Sequence, residues 1–440
     1  MKRVVISGTK SGCGKTTVTC AILSAIKKRN INVSAFKCGP DYIDTMFHRK
    51  VLGVQSHNLD SFFCNKDTLL YLLDEYSGDI SVIEGVMGFY DGDTGSAYSV
   101  SQLTETQTII VIDCKGMSNS IGAVMNGYLN YRPNHIAGFI FNRLPEKMIP
   151  LVKRLCSELG TNYYGCLLKT SIILESRHLG LVTAGEIADI QEKIQQLGLL
   201  AEKYICIDKI LDIQNTALPE YRVPTIRKYE KSPIIAVAND KAFCFIYQEN
   251  IQLLEKMGCR IQYFSPIEDK SVPDCDGLIL YGGYPELYAE QLSANDSMLS
   301  SIKQRIQQGT PTIAECGGFM YLHDSLTDNN GRSYRMAGVI SGNVFPTDKL
   351  QRFGYITLKS EKESMLSKSG EYIRAHEFHY WDSTNSGEDY TAEKTDGRTW
   401  KCCHSSDCFY AGFPHLYFYT DIKIAERFVE ECIKFGERNG

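Results

Sequence analysis

Residues 3–28, RVVISGTKSGCGKTTVTCAILSAIKK, constrain the fold more than any other stretch of this chain. The run at 3–8 is apolar without alternation, which predicts a strand buried on both faces. Val18, Ala21, Ile22, Ala25 and Ile26 then recur at helical spacing. A strand feeding a helix through a glycine corner begins a parallel sheet covered by helices. Further apolar runs at 32–39, 80–86, 108–114 and 136–142 extend that sheet.

The corner GTKSGCGKTT (8–17) has the context of a phosphate cradle. Gly12 and Gly14 let backbone N–H groups converge on phosphate oxygens, and the helix N-terminus adds a favourable dipole. Lys15 is then expected along the β- and γ-phosphates of ATP. Thr16 offers its hydroxyl to Mg2+, with Thr17 beside it. From Gly8 to Gly14 the spacing is one residue longer than GxxxxGK.

FKCGPDYID (36–44) and IEGVMGFYDG (83–92) place acids just past buried strands, the edge where open α/β sheets bind ligands. Asp41 and Glu84 are the Mg2+ candidates, with Asp44 and Asp91 close behind for phosphoryl transfer. Lys37 is positioned to meet an anionic substrate. Acids at such places also serve as helix caps. Asp113 is a further candidate for the metal's surroundings. Asn142 ends FIFN as either an adenine contact or a strand-end turn.

At 440 residues the chain is too long for one core. ALPEYRVPTIRKYEKSP (217–233) holds three prolines and reads as a linker. The expected domains are 1–218 and 232–440. In the second, strands at 233–240, 259–266, 276–283 and 310–318 surround a helix at 250–258, giving another mostly parallel α/β sheet. The polar stretch 382–400 reads as a long loop or hairpin tip. A net charge of -5 argues against a nucleic-acid surface. No apolar run suggests a membrane span, and Met1-Lys2-Arg3 leads straight into a strand, so a cytoplasmic location is expected. The 16 cysteines are then expected to be reduced. Cys402, Cys403, His404 and Cys408 match no standard zinc spacing.

TIAECGGFMYL (312–322) puts Cys316 on a second strand-to-helix corner. Such a turn holds a nucleophile at a helix N-terminus, lowers a thiol's pKa and exposes it for attack. The amides of Gly317 and of Gly283, in YGGYPE, are candidates for an oxyanion hole. The thiol needs a base. His415 in YAGFPHLYFYTD is one candidate, and His376, Glu377 and His379 in RAHEFHYWD compete with it.

Taken together, GTKSGCGKTT, FKCGPDYID, EGVMGFYDG, ESRHLGLV, NDKAFCFIYQENIQLLEKMG, FSPIED, LYGGYPELYAEQL, AECGGFMYL, HEFHY and FPHLYF resemble the cobyrinic acid a,c-diamide synthases over residues 4 to about 425. The resemblance implies a P-loop domain similar to dethiobiotin synthetase and a domain similar to class I glutamine amidotransferases. It implies ATP- and glutamine-dependent amidation of a tetrapyrrole acid through acyl phosphates. It places the nucleophile on Cys316 and its activating histidine on His415. Ordinary class I amidotransferases carry a glutamate two positions after that histidine. Here Tyr417 stands there, leaving open what orients His415. Tyr281 and Ala375 replace glycines usual in the family. Nickel-sirohydrochlorin a,c-diamide synthase shares these blocks and is the alternative. A partition-type ATPase switch, favoured only by Lys10, is the more distant one. A homodimer is the working expectation for assembly.

Overall fold

The computed structural model describes residues 1–92, 94–170, 172, 190–214 and 217–439. The block ESRHLGLV lies outside the described residues. The chain divides into two compact units, Met1–Pro224 and Thr225–Gly440.

The first unit alternates strands and helices: β1 (Lys2–Gly8), α1 (Lys15–Lys28), β2 (Val33–Cys38), α2 (Tyr42–Phe47), β3 (Ser56–Leu59), α3 (Lys66–Glu75), β4 (Ile80–Glu84), α4 (Ala97–Leu103), β5 (Thr108–Asp113), α5 (Ser120–Asn130), β6 (Ile136–Leu144), α6 (Ile149–Glu158), β7 (Asn162–Leu168), α7 (Ile190–Tyr204) and α8 (Ile207–Leu211). The strands form one parallel sheet in the order β3-β2-β4-β1-β5-β6-β7. Val4, Val5 and Ile6 of the central β1 are wholly buried, as a strand covered on both faces must be. A π-helical turn, His48–Leu52, continues α2.

The second unit begins with β8 (Ile234–Ala238), α9 (Gln248–Lys256), β9 (Arg260–Phe264), β10 (Gly277–Leu280), α10 (Ala289–Ala294), α11 (Asp296–Gln307), β11 (Thr312–Glu315) and α12 (Gly317–Tyr321). Short strands follow: β12 (His323–Thr327), β13 (Ser333–Arg335), β14 (Ile340–Pro346), β15 (Arg352–Ser360), β16 (Tyr372–His379), β17 (Trp381–Ser383), β18 (Tyr390–Glu393), β19 (Thr399–Cys402), β20 (His404–Ser406), β21 (Phe409–Gly412) and β22 (His415–Leu416). The chain ends in α13 (Ile422–Asn439). The main sheet, β20-β21-β11-β10-β8-β9, is parallel except for β20. Two smaller sheets, β13-β12-β14-β17 and β19-β18-β15-β16-β22, use mostly antiparallel pairing. The polar stretch 382–400 thus carries strand, with β18 and β19 forming a hairpin. Among the described residues no helix is long and apolar enough to cross a membrane. Among the described residues no disulfide joins any of the 16 cysteines.

Candidate active site

Each unit gathers reactive side chains at the carboxyl edge of its main sheet. In the first unit, Gly12 and Gly14 have φ of 72° and 94°, the left-handed region that glycine enters without a Cβ clash. A Cβ on Gly14 would also lie 2.0 Å from Asn142 Nδ2. Lys15 opens α1, and its Nζ donates to the Lys10 carbonyl at 3.2 Å. Burial pushes the Lys15 pKa down. Lys10 itself is exposed. Thr16 Oγ1 donates to Glu84 Oε1 at 2.6 Å, and Thr17 follows on α1.

Sheet register brings the next groups together. Ile6 pairs with Glu84, and Glu84 with Lys37, so three strand ends lie in a row. Lys37 Nζ donates to Glu84 Oε1 at 2.9 Å and also pairs with Asp44. Lys37 is 4% exposed and Glu84 0%. Burial works against a charged Lys37, yet the Asp44 and Glu84 carboxylates raise its pKa well above the usual lysine value. Burial likewise disfavours an ionised Glu84. Lys37, His48 and Thr16 outweigh that and hold it well below the usual carboxylate range. At Asp44 the balance goes the other way, because burial and the Asp41 and Glu84 charges exceed the pull of Lys37.

Asp41 caps α2, its Oδ1 accepting from the amides of Ile43 at 2.9 Å and Asp44 at 3.1 Å. One carboxylate oxygen is therefore committed to the backbone. Asp91 is exposed and accepts from Gly88 N at 2.8 Å, in a loop tied to Gly8 through Phe89 N. Asp113 stands apart from this acid cluster. Its strand lies on the opposite side of β1 from β4, and it pairs with Arg143 at 2.7 Å. Asn142 is drawn into the phosphate loop, donating to the Cys13 carbonyl at 2.9 Å and accepting from Arg143 N at 2.9 Å.

The acid cluster suits a hard cation. Glu84 Oε2 is buried with no hydrogen-bond partner among the described residues, 3.6 Å from His48 Nε2. Among the described residues no three His, Cys, Asp or Glu form a closed metal cage. Mg2+ does not need one, since it takes one or two carboxylates and fills its octahedron with phosphate oxygens and water.

In the second unit Cys316 sits between β11 and α12 with φ 45° and ψ -103°, a strained conformation for a non-glycine residue. Its amide donates to the Gly412 carbonyl at 2.8 Å, which pins the turn. A Cβ on Gly318 would lie 2.0 Å from the Leu280 carbonyl oxygen, so only glycine fits behind the elbow. A Cβ on Gly317 would lie 3.0 Å from Gly283 N, which makes the two candidate oxyanion amides neighbours. His415 reaches the same corner: a Cβ on Gly282 would meet His415 Cε1 at 2.6 Å and Cys316 Cβ at 3.4 Å. Cys316 is 6% exposed, so the elbow is covered rather than held out to solvent. The Gly282 turn and His415 close over it.

Burial alone would lower the His415 pKa. The hydrogen-bonded Cys316 sulfur and the Glu315 carboxylate raise it instead, to about 10. His376 lies directly across from His415 in the pairing of β16 with β22, and burial pushes it down to about 3. His379 stacks on Phe413 at 3.9 Å, donates from Nδ1 to the Trp381 carbonyl at 2.6 Å, and is likewise pushed down to about 3. Burial raises Glu377 to about 7. Cys402 and Cys403 are buried, and His404 Nε2 donates to the Asn385 carbonyl at 3.1 Å.

Residues 4–181 match the family described as the CobQ/CobB/MinD/ParA nucleotide binding domain, and residues 234–424 the CobB/CobQ-like glutamine amidotransferase domain. The cobyrinate a,c-diamide synthase of Fusobacterium nucleatum is 38% identical, covering 97% of this chain and 99% of that one. Those of Listeria monocytogenes and Thermoplasma volcanium are 38% and 37% identical over similar spans. The chain belongs to the cobyrinate a,c-diamide synthase family.

This family of glutamine-hydrolysing amidoligases joins the two kinds of site in one polypeptide. In this member three neighbours escape a motif-based reading. His48 reaches Glu84 only because a π-helical turn follows α2. Arg143, with φ 55°, bends back so that its guanidinium donates to the Gly12 carbonyl at 2.9 Å. Glu315 lies beneath His415 although it is adjacent to the nucleophile candidate in sequence. Only Glu315 left a trace, as an acid in an otherwise apolar strand.

Proposed function

We propose that this chain amidates the a- and c-acetate carboxylates of cobyrinic acid, using ATP and glutamine, through acyl-phosphate intermediates. One observation carries the reading: a single chain holds both a phosphate loop beside buried acids and a thiol–imidazole elbow. The full-length likeness to relatives named cobyrinate a,c-diamide synthase supports this acceptor over nickel-sirohydrochlorin.

A carboxylate does not accept ammonia at neutral pH, because its oxygen is a poor leaving group. Transfer of the γ-phosphoryl group from ATP to that oxygen makes phosphate the leaving group. Gly12 and Gly14 shape the loop that receives the phosphates, and Lys15 neutralises the charge that develops on them. Thr17 extends this loop into α1, with Asn142 and Arg143 bracing it from beneath. Lys37 offers a charged ammonium to the substrate carboxylate, and Asp44 and Asp91 border the transfer site. Thr16, Glu84 and Asp41 would hold Mg2+, which supplies charge neutralisation at the phosphates when bound.

At the other site the Cys316 thiolate attacks the side-chain amide carbon of glutamine. The Gly283 and Gly317 amides receive the oxyanion. His415 passes its proton to the departing ammonia. The neutral imidazole then takes a proton from water, which hydrolyses the thioester and releases glutamate. The ammonia attacks the acyl phosphate, expelling phosphate and forming the amide.

Purified protein given ATP, glutamine and either cobyrinate or nickel-sirohydrochlorin tests the reading. The expected result is a diamide from cobyrinate, with two glutamates released per acceptor. Amidation of nickel-sirohydrochlorin alone would transfer the activity to that acceptor. ATP turnover without glutamate release would favour a switch.

A further inference from the structure

We infer that Glu315 is the positioning carboxylate of the glutaminase site, supplied by the nucleophile's own strand in place of a residue following the histidine. The inference rests on the amidotransferase reading of Cys316 and His415. Tyr417, at the usual acid position, is wholly buried and packs edge-on against Tyr247 at 5.0 Å. It carries no carboxylate to offer. Glu315 ends β11 with 0% exposure, and its Oε1 accepts from Leu416 N at 3.1 Å. That bond locks the carboxylate beside the β22 backbone. Oε2 then faces His415 Nδ1 at 3.6 Å, with no other hydrogen-bond partner among the described residues. With Nδ1 turned to Glu315, the ring is held against the Cys316 corner.

The arrangement has a physical rationale. β-strand alternation sends the side chains of neighbouring residues 315 and 316 to opposite faces. The strained turn at Cys316 instead lets both address one imidazole, from two sides. A buried carboxylate without a cation is costly, and protonation of His415 supplies one. The groups that sense His415 or Glu315 are Cys316, His376, Glu377, His379 and Tyr281. Cys316 and Glu315 both favour the imidazolium.

Glu315→Gln keeps the size and the acceptor for Leu416 N while removing the charge. The expected result is a loss of glutamine hydrolysis of up to about 10⁴-fold, the size seen when a triad carboxylate becomes an amide. Ammonia-dependent amidation persists and reports that the chain is folded. The alkaline limb of the pH profile for Cys316 alkylation by iodoacetamide also moves to lower pH, since His415 loses its proton earlier. A residue that merely accepts from Leu416 N leaves that limb unmoved. Glu315→Asp, which keeps the charge, recovers part of the hydrolysis lost in Glu315→Gln. Wild-type hydrolysis and an unshifted alkylation profile in Glu315→Gln would overturn the inference and leave the amidation reading intact. Loss of ammonia-dependent amidation in the wild type would instead strike that reading.

Discussion

Lys37 Nζ lies 2.9 Å from Glu84 Oε1, with both side chains sealed from solvent at the ends of adjacent parallel strands. An ion pair so buried is poor at adding stability, because desolvation offsets most of the attraction. Its retention next to a phosphate loop points to function. Lys37→Met leaves Asp41, Asp44 and Glu84 with one cation fewer and is expected to cost about 3 kcal/mol in stability. Glu84→Gln keeps the packing, yet it should cut amidation at least about 100-fold with glutamine or ammonia as donor. Steady-state assays with both donors check this; undiminished turnover would remove Glu84 from the phosphoryl-transfer site.

Asn142 and Gly14 form a second dependent pair. The asparagine amide occupies the space that a Gly14 side chain would need, and it holds the Cys13 carbonyl. Asn142→Ala is expected to loosen the phosphate loop, losing about 1 kcal/mol of hydrogen bonding and raising the KM for ATP roughly fivefold. Glutamine hydrolysis measured without ATP should be unchanged. Nucleotide titration alongside a glutaminase assay separates the two effects.

The buried histidines of the second unit give its stability a direction with pH. His379, pushed down to about 3, binds its proton later in the folded chain than in the unfolded one, whose histidines titrate near 6.5. Its contribution is therefore complete above about pH 6.5 and is lost as pH falls from there towards 3. At pH 5.5 this one residue costs about 1.4 kcal/mol relative to pH 7.5. His379→Phe preserves the stack on Phe413 and should flatten the acid side of a Tm-against-pH curve by about that amount. An unchanged acid slope would show that other groups set it.

Much of this was legible in the chain itself, and the failures have physical causes. The parallel core was plain because β1, β4 and β5 are uninterrupted apolar runs covered on both faces. β3, SHNL, escaped because it is an edge strand whose buried residues are largely polar. The antiparallel half of the second unit was missed for a related reason. In strands such as ISGNVFP and RFGYITLKS burial alternates, but Phe345 and Phe353 face solvent while Ser360 is buried, so hydropathy does not follow it. Both glycine corners were readable since few other residues tolerate those turns. Their supports were not: Arg143 depends on a left-handed backbone, His48 on a π turn, and Glu315 on a strained elbow.

On the function proposed above, two chemistries are kept separate in this chain, nitrogen release at Cys316 and carboxylate activation around Lys15 and Glu84. The direct test is Cys316→Ala assayed with cobyrinate and ATP, first with glutamine and then with ammonium at alkaline pH. Glutamine-dependent amidation should fall to background, and ammonia-dependent amidation should stay within about twofold of wild type. Loss of both activities in a folded variant, or survival of the glutamine-dependent one, would contradict it.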